Sequence, residues 1–311
     1  MKRREFSVGG LPQGYEVRKV DLTPSGIPVC VATHRTDYQA DVLLLSAGST
    51  LAVPEELIWR NPLTSFVFPP LVRCMGEERV LLVGGRGEAN ACILNYAGHV
   101  DRSFNVGSAS EVLANEDWII AHYSDQAMTS DYHPVDREGL AVFDAAGNYV
   151  WGFESHFAGN PRLDVFFHAA AWISPDEVGV YRDIDQLMHT RESFIRLNVR
   201  DRILQTSLVP ANAFLATALT VSGKHVFFHS PLGRIPIFGI PPSIPGMIKR
   251  LKVKTGRMNP PPGEGDILQW DIGSAHCVVV GHYPGRGSLR GLTGGRFIAV
   301  KPDGYSILSL D

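Results

Sequence analysis

Several features that mark common protein classes are scarce in this sequence of 311 residues. It has only four cysteines, Cys30, Cys74, Cys92 and Cys277, and no two of them form a CxxC pair. Widely separated cysteines in mostly apolar runs are typical of buried free thiols in a reducing cytoplasm. No apolar run reaches the roughly 18 residues that cross a membrane, and no apolar segment follows the charged N-terminus as in a signal peptide. The sequence therefore predicts a cytoplasmic protein without membrane contact.

A basic excess is also missing. The formal net charge is −3, and the one basic cluster, residues 2–4, is typical of a solvated tail. Nucleic-acid binders usually carry a positive excess to replace phosphate counterions, so a nucleic-acid partner is not expected. The sequence contains no GxSxG elbow, no phosphate-binding P-loop and no HExxH zinc motif. These absences exclude the motif-defined hydrolases, nucleotidases and zinc proteases.

Short runs of β-branched and aromatic residues dominate the sequence, and turn residues separate them. This pattern predicts an all-β protein. An apolar strand followed by a Gly- or Asp-bearing turn recurs six times, with 48 to 55 residues between successive turns. Glycine suits such a turn because a tight hairpin needs a residue with positive φ. The turns lie at Gly48, Gly98, Gly147, Asp201, Gly256 and Gly304.

A second apolar strand precedes each turn, so each unit supplies about four strands, called A to D from the inside outward. That is one blade of a β-propeller, and closure into a ring removes exposed sheet edges. We predict a single six-bladed β-propeller domain of four-stranded antiparallel blades over residues 1–311. The alternatives are seven blades, or five with irregular structure. The predicted blades cover residues 14–62, 63–107, 108–155, 156–209, 210–262 and 263–311.

The stretch from Trp118 to Phe153 (WIIAHYSDQ…GLAVFDAAGNYVWGF) resembles the blades of uncharacterised bacterial six-bladed propellers. This resemblance to the six-bladed β-propeller superfamily implies the architecture and assigns no chemistry.

The ends of the predicted B strands share a composition. Every unit places a His, Tyr or Arg immediately after its B strand, and these ends should surround one mouth of the central channel. One interpretation is structural, with side chains that hydrogen-bond neighbouring blades. The other is a polar, partly cationic rim for an acidic or hydroxyl-rich ligand. The candidate ligand-binding residues on this rim and its loops are His34, Arg35, Arg86, Tyr181, Arg182, Arg286 and Phe238.

Two of the loops after the B strands are distinctive. Residues 122–138 hold His122, Asp125 and His133, which could bind one divalent metal, although their spacing matches no known signature and a solvated acidic loop is the alternative. Residues 229–247 contain five prolines and several large apolar residues. Such a loop either covers the channel, presents an apolar patch to a partner, or folds onto its own blade.

These features support two functions. The first is a non-catalytic binding platform that engages a partner protein or a ligand through the face formed by the B–C loops. The alternative is a hydrolase or lyase with a His-based or divalent-metal site at the channel mouth. In that case His122, His229 and His282 are the candidate bases, and Tyr123 or Tyr283 is the acid, because histidine titrates near neutrality.

Overall fold

The computed structural model describes residues 1–37, 39–46, 49–61, 66–84, 88–123, 133–157, 166–183, 193–210, 216–230, 265–283 and 289–310. These residues form six four-stranded antiparallel sheets and one two-stranded hairpin. The six sheets are the blades of a six-bladed β-propeller, which confirms the predicted fold class. None of the helices in this part of the chain is long and apolar enough to span a membrane.

The first three blades and the hairpin follow one another along the chain, with strands numbered in chain order. The first blade comprises β2 (Tyr15–Leu22), β3 (Pro28–His34), β4 (Leu43–Ser46) and β5 (Ser49–Ala52). A short 3-10 turn (Glu55–Leu57) and the hairpin, β6 (Trp59–Asn61) and β7 (Phe66–Phe68), come next. The second blade comprises β8 (Leu71–Met75), β9 (Arg79–Val83), β10 (Ala91–Asn95) and β11 (Val100–Phe104). The third comprises β12 (Glu111–Ala114), β13 (Trp118–His122), β14 (Leu140–Asp144) and β15 (Tyr149–Gly152), with a 3-10 turn at Pro134–Glu138.

The second half of the ring repeats this order. A short helix α1 (Phe153–Phe157) leads to the fourth blade, which comprises β16 (Phe166–Ser174), β17 (Glu177–Asp183), β18 (Ser193–Asn198) and β19 (Ile203–Leu208). The fifth comprises β20 (Ala218–Ser222), β21 (His225–Ser230), β22 (Asp266–Asp271) and β23 (Cys277–His282). The sixth comprises β24 (Leu289–Leu292), β25 (Arg296–Lys301) and β26 (Gly304–Ser309), and its outermost strand is the N-terminal β1 (Lys2–Ser7).

The ring closes through β1. This strand pairs antiparallel with β26 from Lys2 opposite Ser309 to Ser7 opposite Gly304. The last blade is therefore built from both ends of the described chain, and the hydrogen bonds of β1 fix the segment that leads into the first blade to the sixth blade. The A strands of successive blades contact one another from the first blade to the sixth, and β2 contacts β25 of the sixth blade.

The core consists of six clusters, one between each pair of adjacent blades. Successive side chains of a strand point to opposite faces, so Ile119 packs against the second blade and Ile120 against the fourth. Both faces of each blade are covered. This explains why the B strands read as continuous apolar runs and not as alternating ones. Cys30, Cys74, Cys92 and Cys277 are free and buried, as predicted.

The predicted strand assignment is wrong at the end of the chain. Residues 277–281 belong to the D strand of the fifth blade, and Gly304 lies at a B–C turn and not at a C–D turn. The fifth blade extends to His282, beyond the predicted boundary at residue 262, and its C–D turn lies at Gly273. Gly256 lies outside the described residues. The fifth blade has a long B–C segment between Ser230 and Asp266, whereas the sixth blade takes one of its four strands from the N-terminus. The two departures offset each other in the spacing of the turns, so the error left the predicted number of units unchanged.

Candidate functional site

The B strands end on one face of the propeller, called here the B–C face. Their last described residues include His34, Val83, His122 and Ser230, and the sixth blade contributes Lys301. His282 and Tyr283 were predicted to follow a B strand, but they follow the outermost strand of the fifth blade. They still reach the B–C face, because β23 runs antiparallel to β22 and His282 lies opposite Asp266.

The predicted catalytic pair of the third blade is buried. The His122 side chain lies 3.1 Å from the Ser110 hydroxyl through Nδ1 and is only 8% exposed. Tyr123 is fully buried, and its hydroxyl donates a 2.7 Å hydrogen bond to the Val106 carbonyl. Burial raises the pKa of Tyr123. This tyrosine therefore lies in the core between the second and third blades and not on the rim.

His229 is the most deeply buried of the histidines whose side chains the structure describes. It is 1% exposed, and neither ring nitrogen makes a hydrogen bond of ordinary geometry with a described residue. Its ring meets that of Tyr283 edge to face, with centroids 6.0 Å apart. Burial lowers the pKa of His229 to about 4, and the nearby Tyr283 backbone, which favours the protonated ring, only partly offsets this. His229 is thus a neutral imidazole at physiological pH.

A stability measurement tests this burial. The unfolded chain protonates His229 near its usual pKa of 6.5, whereas the native state does so only at about 4. The free energy of unfolding should therefore fall as the pH falls from about 6.5 to about 4, by roughly 1.4 kcal/mol per pH unit and about 3 kcal/mol in all from this residue. Urea unfolding at several pH values should show a smaller slope for His229→Gln than for the parent protein. His99→Gln, at an exposed turn of the second blade, should keep the parent slope. Equal slopes in all three proteins would contradict the assignment.

The other members of the predicted rim are tied into local contacts. His282 is half exposed and lies 3.2 Å from Asp266, and Tyr283 is 5% exposed. His34 accepts a 2.9 Å hydrogen bond from the Asp37 amide through Nδ1, and Arg35 pairs with a carboxylate of its own blade.

Tyr181, predicted to bind a ligand, is fully buried between the fourth and fifth blades. The Arg182 side chain lies outside the described part of the structure, as do Arg86, Arg286 and Phe238. Of the seven predicted ligand-binding side chains, the structure describes those of His34, Arg35 and Tyr181, and it places Tyr181 in the core and not on the rim.

The predicted metal site is not assembled among the described residues. His133 caps the 3-10 turn that follows it and accepts a 3.4 Å hydrogen bond from the Val135 amide. His122 faces Ser110, and Asp125 lies outside the described residues. Within the described ranges, no group of three or more His, Cys, Asp or Glu side chains could hold a metal ion.

A cavity that the sequence analysis missed opens on the B–C face between the second and third blades. Its volume is about 220 Å³. One side is the β6–β7 hairpin, where the rings of Trp59 and Phe68 stack with centroids 4.2 Å apart, and Phe68 is 42% exposed. The floor and opposite wall come from Pro69, Leu71, Val83, Gly84, Asn90 and residues 107–110. None of these lining residues carries a formal charge.

The polar groups of the cavity are held in place by their neighbours. The Asn90 amide donates a 2.6 Å hydrogen bond to the Gly107 carbonyl and accepts one of 2.9 Å from the Val106 amide. Ser110 is linked to His122. Gly84, which follows β9, has no room for a side chain, because a Cβ there would lie 2.4 Å from the carbonyl oxygen of Leu57 in the turn before the hairpin. The available sequence signal was the pair of aromatic residues in an unusually long connection between blades.

Comparisons with known proteins support the fold and nothing finer. No protein-family model and no curated protein matches the chain. The complex of KlAtg21 with the coiled coil of AgAtg16 matches at a TM-score of 0.51 and 8% identity, over 92% of this chain and 78% of that one. The β-propeller domain of the Trilobed protease from Pyrococcus furiosus matches at 0.50 and 10%, with the same coverages of 92% and 78%. An inactive virginiamycin B lyase from Staphylococcus aureus matches at 0.47 and 9%, over 100% and 99%.

These neighbours include both enzymes and binding propellers. At such low identities the likeness shows the fold alone. The chain is a six-bladed β-propeller of four-stranded antiparallel blades.

Proposed function

We propose that this propeller is a non-catalytic binding platform whose B–C face holds a small, neutral, ring-bearing ligand in the cavity beside Trp59 and Phe68. The observation that carries this proposal is the cavity itself, with a partly exposed aromatic pair on one side and hydroxyl and amide groups on the other. Aromatic faces bind sugar or base rings by stacking, and a few fixed polar groups set the orientation of a ligand. The lining residues that the structure describes carry no formal charge, which favours a neutral ligand over an ion.

The rigid surroundings of the cavity support binding. Asn90 joins the C strand of the second blade to the connection that enters the third, so the opposite wall is fixed relative to the floor. Binding to a preformed site avoids the entropy cost of ordering the site.

The alternative function, a hydrolase or lyase, depends on the histidines of the same face. His122 and His229 are buried, and His282 contacts Asp266. Each of the two buried rings would have to move before it could contact a substrate. No observation in the described site favours this function over binding. In the Pro-rich segment 229–247, predicted as a possible contact for a partner protein, the residues after Ser230 lie outside the described part of the structure, and the proposed ligand site does not include them.

Replacing Trp59 with alanine should weaken ligand binding at least about tenfold, which corresponds to a loss of about 1.4 kcal/mol. The probes are a panel of nucleosides and methyl glycosides, detected by saturation-transfer NMR and then titrated by calorimetry. Tyr149→Ala removes another exposed aromatic, on the outer strand of the third blade, and should leave the affinity unchanged.

Thermal unfolding of both variants checks that the fold is intact. If no panel compound binds the parent protein, or if a bound compound binds Trp59→Ala equally well, the proposed site is wrong.

A further inference from the structure

Three cationic side chains converge near the propeller axis on the A strands of three blades. Lys19 is on β2, Arg73 on β8 and Arg290 on β24. Both arginines lie close enough to Lys19 to lower its pKa further, beyond the larger effect of burial. Arg290 likewise opposes the charge of Arg73. Like charges in a partly dehydrated region repel strongly, so something must compensate them.

Two carboxylates supply part of the compensation. Arg73 is 3% exposed and donates to the Val72 and Val112 carbonyls and to Glu111. Arg290 pairs with Asp21. Lys19, Arg73, Arg290, Asp21 and Glu111 are called here the axial cluster. With three cations and two carboxylates, its described members carry a net charge of +1.

The excess positive charge is on Lys19. Lys19 and Asp21 share the face of β2 that packs on the second blade, because they lie opposite Val31 and Val29, which belong to that interface. Yet Lys19 makes no hydrogen bond or ion pair with any residue that the structure describes. The Asp21 carboxylate is already occupied by two backbone amides and Arg290.

Arg290 also keeps donors for another group. Both of its contacts, with the Val20 carbonyl and with Asp21, are made through Nη2. Its Nε and Nη1 have no partner among the described residues, and the Arg290 side chain is 18% exposed. A guanidinium with a free edge beside an ammonium is an arrangement that binds oxyanions, because both groups donate charge-assisted hydrogen bonds.

We propose that the axial cluster binds a small tetrahedral oxyanion of the phosphate type, held by the Lys19 ammonium and the free edge of Arg290. This site is separate from the cavity beside Trp59 and goes beyond the function proposed above. The anion neutralises the excess charge where the first, second and sixth blades meet. Its binding therefore stabilises the ring as well as occupying a site.

Thermal unfolding in inorganic phosphate and in chloride at equal ionic strength tests the proposal. At a phosphate concentration about ten times its dissociation constant, the parent protein should gain about 2 °C in Tm over chloride. Lys19→Met should lose most of this gain, and its Tm in chloride should exceed that of the parent because a repulsive charge is removed. Lys224→Met, which removes an exposed lysine 3.7 Å from Asp271, should keep the parent's gain.

The comparison between variants decides the outcome, because phosphate stabilises folded proteins in general through exclusion from their surface. The same phosphate gain in Lys19→Met and in the parent would overturn the proposal, as would a parent that gains nothing. An equal gain in acetate would contradict the tetrahedral assignment. If Lys19→Met does not fold, Lys19→Gln provides the same comparison with a polar side chain.

Discussion

Replacing Asp21 with alanine is expected to lower the free energy of unfolding by about 3–5 kcal/mol, the usual effect of breaking a buried ion pair. Asp21 is 6% exposed. Its Oδ1 accepts hydrogen bonds from the Leu22 amide and from Arg290, and its Oδ2 accepts one from the Cys74 amide at 2.9 Å. These partners belong to the first, sixth and second blades, so one carboxylate joins three blades. The alanine variant leaves Arg290 without its counterion and raises the excess charge of the axial cluster by one.

Urea unfolding at neutral pH measures this effect. Asp101→Ala, at an exposed position on β11, is the matched control and should change stability by no more than about 0.5 kcal/mol. Adding Lys19→Met to Asp21→Ala should recover part of the loss, because the two substitutions together remove opposite charges from one cluster. A loss below about 1 kcal/mol for Asp21→Ala would show that the carboxylate does not hold the blades together.

Replacing Gly291 with alanine is expected to cost about 3 kcal/mol or more, because the inner strands of the fifth and sixth blades are in backbone contact there. A Cβ at Gly291 would lie 1.6 Å from the Leu219 carbonyl oxygen and 3.4 Å from the Ala171 methyl group. The obstacle is backbone, so no side-chain rotation can relieve it, and the two blades must separate. The loosened contact should also expose the apolar interface between the fifth and sixth blades.

Thermal and urea unfolding of Gly291→Ala should both show the loss of stability. The increase in hydrogen-exchange rate relative to the parent protein should be largest in β20 and β24. Gly9→Ala is the control, because nothing lies within 4 Å of a Cβ at that position. It should be neutral or slightly stabilising, by up to about 1 kcal/mol. If Gly291→Ala is as stable as Gly9→Ala, the close approach of the two strands is not a feature of the folded protein.

The candidate site was harder to predict than the fold, for a reason visible in two tyrosines. Tyr123 and Tyr181 each follow a run that alternates between two buried faces, and each points into the interface between two blades. Their position after a predicted strand suggested exposure, but the side-chain period of two continues past the run of apolar residues. Applied strictly, this alternation would have placed Tyr123 on the same face as Ile119 and in the core.

The cavity and the axial cluster could not be read from local sequence at all. Trp59 and Phe68 meet only because their short strands pair across a hairpin, and the cavity wall comes from a different blade. Lys19, Arg73 and Arg290 are separated by 54 and 217 positions along the chain and meet only at the axis. Their chemistry depends on unmatched charge in a shared dehydrated region, which no single segment contains.

By itself, the sequence determined the all-β class and the four-stranded repeat, and it favoured the correct number of six blades. Apolar runs of strand length and regularly spaced turns are local properties, and a strand buried on both faces requires them wherever it occurs. Only the tertiary structure decided how the ring closes, where the fifth blade ends and which polar residues are buried. The pairing of β1 with β26 joins Lys2 to Ser309, and such a contact follows from closure of the ring and not from either segment alone.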